Sequence, residues 1–174
     1  MVVTKGDKKM VAKDLELSER IYGCLLGVAI GDALGMPSSF LPLQEIQRIY
    51  GEIEDFEDPL PDHIYHSGYK AGQVTDDTEQ TILIAETLLE TEEVDPRRIA
   101  DALLGWFESV GGRGSDAVGP SSMRALTTIA EGGDLKEAGK RGNTNGAPMR
   151  ISPIGILHGR NQTQLEDVVA DVYQ

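Results

Sequence analysis

Residues 17–37 read LSERIYGCLLGVAIGDALGMP. Ile21, Tyr22, Leu25, Leu26 and Val28 recur with the spacing of one helix face, and Ser18 stands where an N-cap hydroxyl would serve the first turn. Met36-Pro37 stops the pattern, because proline lacks an amide proton and its ring crowds the preceding turn. Gly23, Gly27, Gly31 and Gly35 fall every fourth residue and so form one stripe. A glycine inside a helix costs about 1 kcal/mol relative to alanine. The stripe therefore predicts a close approach, either a second helix crossing tightly in a core or a ligand. Tyr22 to Met36 is apolar, but Asp32 interrupts it and the run is short of the roughly 20 residues that span a bilayer, so the expectation is a buried helix.

Working outward, Leu41 to Tyr50 predicts a short helix. Asp76 to Glu90 predicts a longer one, with Ile82, Leu83, Ala85, Leu88 and Leu89 on one side. Asp95-Pro96 opens a helix that runs to Ser109, with proline at the first helical position. Further helices are expected over Pro120–Ala130, Leu135–Gly139, Ala147–Leu157 and Gln164–Tyr173, with a turn at Gly111–Ser115. Between Glu52 and Gln73, Pro59, Pro61, Gly68 and Gly72 interrupt any period and predict a long irregular segment, a kind of loop that is usually functional. No segment alternates as a strand does, so the class is all-α. Residues 1–14 read as a flexible polar tail, and 15–174 as one folded unit.

The chain has 174 residues, with 29 Asp and Glu against 16 Lys and Arg, a net charge of −13. The excess is local: 15 of the acids lie between Glu45 and Asp95, where Arg48 and Lys70 are the only Lys or Arg. Such a field argues against a nucleic acid or an anionic membrane as partner. Most of these acids read as a solvated face, and a few as candidates to hold a cation. Cys24 is the single cysteine, so no intrachain disulfide forms and a cysteine zinc site is excluded. A reducing, cytoplasmic setting is the expectation.

Two segments carry chemistry. Thr75-Asp76-Asp77-Thr78 lies where a glycine-containing loop meets a helix start. One capping residue explains one of these groups, but adjacent carboxylates repel and need a compensating positive charge. A hydroxyl with two carboxylates suits a hard divalent ion such as Mg²⁺. The second segment, Gly142-Asn143-Thr144-Asn145-Gly146-Ala147-Pro148-Met149-Arg150, reads either as a turn or as a loop offering amides to a phosphate or sugar. It lacks the Lys-Ser/Thr of a P-loop.

These segments, in order with Gly23–Pro37, Gly72–Gln80, Gly119–Leu126 and Thr144–Gly155, resemble the ADP-ribosylglycohydrolase family, which includes the dinitrogenase reductase-activating glycohydrolases. The resemblance implies an all-α helical bundle, here its N-terminal portion. It also implies a two-metal centre of Mg²⁺ or Mn²⁺ that cleaves the bond between ADP-ribose and an acceptor on a protein or small molecule. Thr75, Asp76 and Asp77 correspond to metal ligands, with Asp76 and Asp77 catalytic through the metal. Asn143, Asn145 and Gly146 correspond to the loop that holds ADP-ribose.

The sequence departs from the family twice. Ser39 stands where members carry a glutamate, and a hydroxyl is no base near neutral pH. Further metal ligands, an Asp-x-Asp-Thr pattern, are also missing. Two octahedral ions offer about 12 positions, of which Thr75, Asp76 and Asp77 fill a minority. The expectation is a hydrolase that is weak or inactive as this chain alone, with apolar helix faces left for a missing half or an oligomer partner. The alternative is a non-catalytic relative that binds ADP-ribose or a nucleotide.

Overall fold

A computed structural model describes residues 16–161. The expected tail over 1–14 and helix over 164–173 lie outside the described residues. Among the described residues the fold is all-α, as expected, with α1 Leu17–Gly35, α2 Leu43–Ile49, α3 Asp76–Thr91, α4 Pro96–Ser109, α5 Pro120–Ala130, α6 Leu135–Ala138 and α7 Ser152–Asn161. Short 3₁₀ turns occupy Met36–Ser38, Gly112–Gly114 and Pro148–Arg150.

Helix α3 is the hub. It packs against α1, α4, α7 and the Pro148–Arg150 turn. Its buried face mixes Ile84 and Leu88 with Thr78, Gln80, Thr81 and Thr87. The threonines satisfy their hydroxyls locally: Thr81 donates to the Asp77 carbonyl at 2.6 Å and Thr87 to the Leu83 carbonyl at 2.9 Å. Ile84 and Leu88 meet Ile154 of α7, while Leu103 and Phe107 of α4 meet Val118 and Leu126. Burying each such side chain contributes roughly 1.5–3 kcal/mol. Helix α4 starts where Asp95 accepts from the amides of Arg97 and Arg98, with Pro96 supplying a pre-set φ.

Three expectations need correction. Helix α1 begins one residue before Ser18: the N-cap is Glu16, whose amide donates to the Glu19 carboxylate at 3.0 Å, a reciprocal capping arrangement that leaves Ser18 inside the first turn. The Ala147–Leu157 helix is split into the Pro148–Arg150 turn and α7, because Pro148 and Pro153 each remove an amide donor and favour a helix start. Helix α1 is also not a buried helix. Ala33 is its one buried residue, and a side chain built at Gly23, Gly27, Gly31 or Gly35 would meet nothing within 4 Å. Among the described residues no helix crosses the glycine stripe. Leu17–Ser38 is long and apolar enough to cross a membrane by length and composition, with a mean hydropathy of 1.3 and 17% of it buried. Its Asp32, however, is tied into the site described next.

Candidate active site

The site is built on the N-terminus of α3. Thr75 is the N-cap, and its hydroxyl accepts from the Asp77 amide at 3.3 Å. Asp32, in the last turn of α1, reaches across to the same helix end. It accepts from the Thr75 amide at 2.8 Å, the Thr75 hydroxyl at 2.8 Å, the Thr78 amide at 3.2 Å and the Thr78 hydroxyl at 2.6 Å. A carboxylate there satisfies orphan amides and meets the positive end of the helix dipole. It also orients Thr75. With its proton given to Asp32 and one lone pair taken by the Asp77 amide, the hydroxyl keeps one acceptor position.

Asp76 and Asp77 follow on the first turn, both partly buried. Burial, then the neighbouring Asp77 charge, pushes Asp76 up to about 6, against a hydrogen bond from the Gly119 backbone that favours the carboxylate. Asp77 is raised by burial and by Asp32, and lowered by Thr75 and Arg150. Arg150 supplies a positive charge near the pair: burial lowers its pKa from the usual value, while Asp76 and Asp77 act to raise it. Arg150 hydrogen-bonds the fully buried Gln80, and Gln80 in turn donates to Asp76 at 3.4 Å. The guanidinium is thus linked to Asp76 through Gln80.

A cavity of about 460 Å³ opens in front of this turn. Thr75, Asp76, Asp77, Asn145, Gly146 and Ser39 all line it, so positions up to 107 residues apart share one wall. Gly146 fits because a Cβ there would sit 3.1 Å from the Ser122 hydroxyl. Asn143 is not on the wall. Its side-chain Oδ1 accepts from Arg124 at 2.9 Å and its backbone N–H donates to the Ser121 hydroxyl at 3.1 Å, which pins the loop to α5. The Ser39 hydroxyl donates to the Met36 carbonyl at 3.0 Å and lies 3.2 Å from His66 Nδ1.

Asp32 and His66, both on the cavity, were not named as site residues from the sequence. Asp32 had a visible signal, a charge inside an apolar helix. His66 had none, because the long irregular segment carries no period from which a shared face could be read.

Whether the donors fit a cation can be judged from their chemistry. Thr75, Asp76 and Asp77 offer hard oxygens, and both acids carry raised pKa values that a nearby cation would bring down. The set fits Mg²⁺ or Mn²⁺ in kind but not in number, and among the described residues no cluster of three or more His, Cys, Asp and Glu is placed to hold a metal.

The same residues are matched by the family model described as ADP-ribosylglycohydrolase, over residues 13–174. The chain belongs to the ADP-ribosylglycohydrolase family. It is 40% identical over 142 residues to an uncharacterised protein of Archaeoglobus fulgidus, covering 82% of this chain and 44% of that protein. It is 32% identical over 149 residues to the ADP-ribosylarginine hydrolase Tri1 of Pseudomonas putida, covering 80% and 36%. It is 30% identical over 152 residues to the ADP-ribosyl-[dinitrogen reductase] glycohydrolase of Rhodospirillum rubrum, covering 85% and 48%. This ADP-ribosylglycohydrolase chain thus spans less than half the length of the curated relatives it matches.

Proposed function

We propose that the cavity takes the ADP-ribose half of an ADP-ribosylated protein or small molecule, and that the complete site hydrolyses its glycosidic bond with the help of Mg²⁺ or Mn²⁺. The observation that carries this reading is that Thr75, Asp76 and Asp77 line one cavity together with Asn145 and Gly146. Thr75, Asp76 and Asp77 would hold the cation. When bound, it supplies Lewis-acid polarisation and offsets negative charge. Asn145 and the Gly146 backbone contact the ligand, and Asn143 keeps their loop in place. The relatives named for ADP-ribosylarginine and for ADP-ribosyl-dinitrogen reductase support an ADP-ribosylated protein as substrate.

With three of the donors for a two-ion centre, this chain alone turns over weakly. Further polypeptide, from a longer chain or a partner copy, covers the exposed α1 and adds ligands. That Asp32 of α1 is engaged with α3 supports α1 as part of the folded unit rather than a membrane span, and the single cysteine fits a cytoplasmic setting.

A second reading, non-catalytic ADP-ribose binding, is favoured by Ser39, whose hydroxyl is committed to a backbone carbonyl. Incubation with Mn²⁺ and an ADP-ribosylarginine peptide separates the two. Released ADP-ribose supports the hydrolase, whereas micromolar calorimetric binding of ADP-ribose without release supports the binder. Absence of both overturns the assignment of the cavity.

A further inference from the structure

Glycoside cleavage needs a group that removes a proton from the attacking water and returns one to the departing acceptor. Among the described residues, six titratable side chains line the cavity: Asp32, Tyr65, His66, Asp76, Asp77 and Asp116. Asp32 is occupied by four hydrogen bonds. Asp76 and Asp77 are the cation's ligands in the reading above. Tyr65 presents a phenol rather than a base. Asp116 is exposed, and among the described residues no hydrogen bond fixes its side chain. His66 remains.

The surroundings of His66 define its tautomer. Nδ1 lies 3.2 Å from the Met36 carbonyl oxygen and 3.2 Å from the Ser39 hydroxyl. A carbonyl only accepts, so in the neutral ring Nδ1 carries the proton and Nε2 the lone pair. Ser39 fits the same scheme, since it donates to Met36 and its lone pair faces Nδ1–H. The neighbouring His63 is set the opposite way. Its Nδ1 accepts from the amides of Tyr65 at 3.2 Å and His66 at 3.0 Å, so Nε2 is protonated and donates to the Ser39 carbonyl at 3.0 Å. The two rings stack with centroids 4.8 Å apart, and the Tyr69 ring lies tilted against His66 at 5.2 Å. His66 is 8% exposed, lines the cavity, and makes no hydrogen bond through Nε2 among the described residues.

We propose that His66, locked by Ser39 and the Met36 carbonyl with Nε2 unprotonated, is the proton-handling group of this cavity. The inference rests on the ADP-ribosyl hydrolase reading. In the step, the water oxygen forms a bond to the anomeric carbon as the bond from that carbon to the acceptor breaks, the electron pair leaving with the acceptor. The water proton passes to His66 Nε2 and then to the acceptor. Burial and the adjacent His63 lower the His66 pKa, with Met36 and Asp32 raising it, which favours the neutral base near pH 7. The groups facing the ring are His63 and Tyr69 from its own segment and Asp32 from α1. Ser39 thus anchors the ring and leaves the proton transfer to His66.

The test uses ¹⁵N-histidine-labelled full chain with Mn²⁺-free Mg²⁺ and ADP-ribose as probe. In the free protein, His66 is expected as the Nδ1–H tautomer and His63 as Nε2–H. ADP-ribose is expected to shift His66 Nε2 while His63 stays in place. A His66 ring protonated at Nε2 overturns the proposal whether or not anything binds. Absence of ADP-ribose binding by calorimetry overturns the hydrolase reading and this inference with it. His66→Asn keeps a donor at the Nδ1 position. It is expected to retain ADP-ribose affinity within about threefold and to lose roughly 10²-fold or more in single-turnover release from an ADP-ribosylarginine peptide, together with the acid limb of the pH profile. A His66→Asn rate indistinguishable from wild type overturns the proposal, as does an equal loss on Asp116→Asn.

Discussion

Asp32 accepts the Thr75 hydroxyl at 2.8 Å across 43 residues of chain, and the same carboxylate takes the Thr78 hydroxyl at 2.6 Å. One side chain therefore caps α3, fixes α1 against it, and sets the direction of the Thr75 lone pairs. Hydrogen bonds to a charged group contribute about 1.5–3 kcal/mol, and leaving buried partners unsatisfied costs about as much. Asp32→Asn is expected to lower the unfolding free energy by about 2–3 kcal/mol in urea titration. Thr78→Val should remove about 1 kcal/mol. An unchanged urea midpoint for Asp32→Asn would refute this account of the helix pair.

Asp76 makes the metal-free protein sensitive to pH. Its folded pKa of about 6 lies above the ordinary 3.8, so its contribution is fully present below 3.8 and is lost as pH rises through 6. Asp77 is raised as well and adds in the same direction. Relative to wild type in EDTA, Asp76→Asn should gain stability as pH rises from about 4 to 7, by up to about 3 kcal/mol. Mn²⁺ should stabilise the wild type at pH 7.5 and leave Asp76→Asn nearly unmoved. Thermal melts at four pH values, with and without Mn²⁺, check both arms. A variant gap that shrinks with rising pH contradicts the sign.

Gly146→Ala places a methyl group 3.1 Å from the Ser122 hydroxyl, on the cavity wall. The loop must shift to relieve that contact, and ADP-ribose binding should weaken about tenfold, near 1.4 kcal/mol. Gly146→Ala with Ser122→Ala removes the clash and should recover most of the affinity by calorimetry. No recovery in the double variant would place the effect elsewhere.

Gly27 sits on the open stripe of α1, where nothing lies within 4 Å. Gly27→Leu should leave the melting temperature of the 174-residue chain unchanged or raise it, since leucine is the better helix former by up to about 1 kcal/mol. If further polypeptide packs on that stripe, the same substitution in a longer protein should lower its melting temperature by several degrees. A drop in the 174-residue chain itself would show that the stripe is already packed.

The sequence by itself determined the helices and the residues that hold the chemistry. The periods of α3, α4 and α5 are local properties of 11 to 16 residues, and Thr75-Asp76-Asp77 and Asn145-Gly146 declare themselves by residue type. Their meeting in one cavity was implied only through family resemblance. Tertiary structure decided what each group is paired with. It assigned Asp32 to Thr75 and Thr78, Arg150 to Gln80, Asn143 to Arg124, and His66 to Ser39. Among the described residues it also left the glycine stripe uncrossed, with Gly31 and Gly35 lining the cavity, where the pattern predicted either a crossing helix or a ligand. The reason is physical: helix period depends on neighbours three and four residues away, whereas a hydrogen bond across 27, 43 or 70 residues leaves no trace in local spacing.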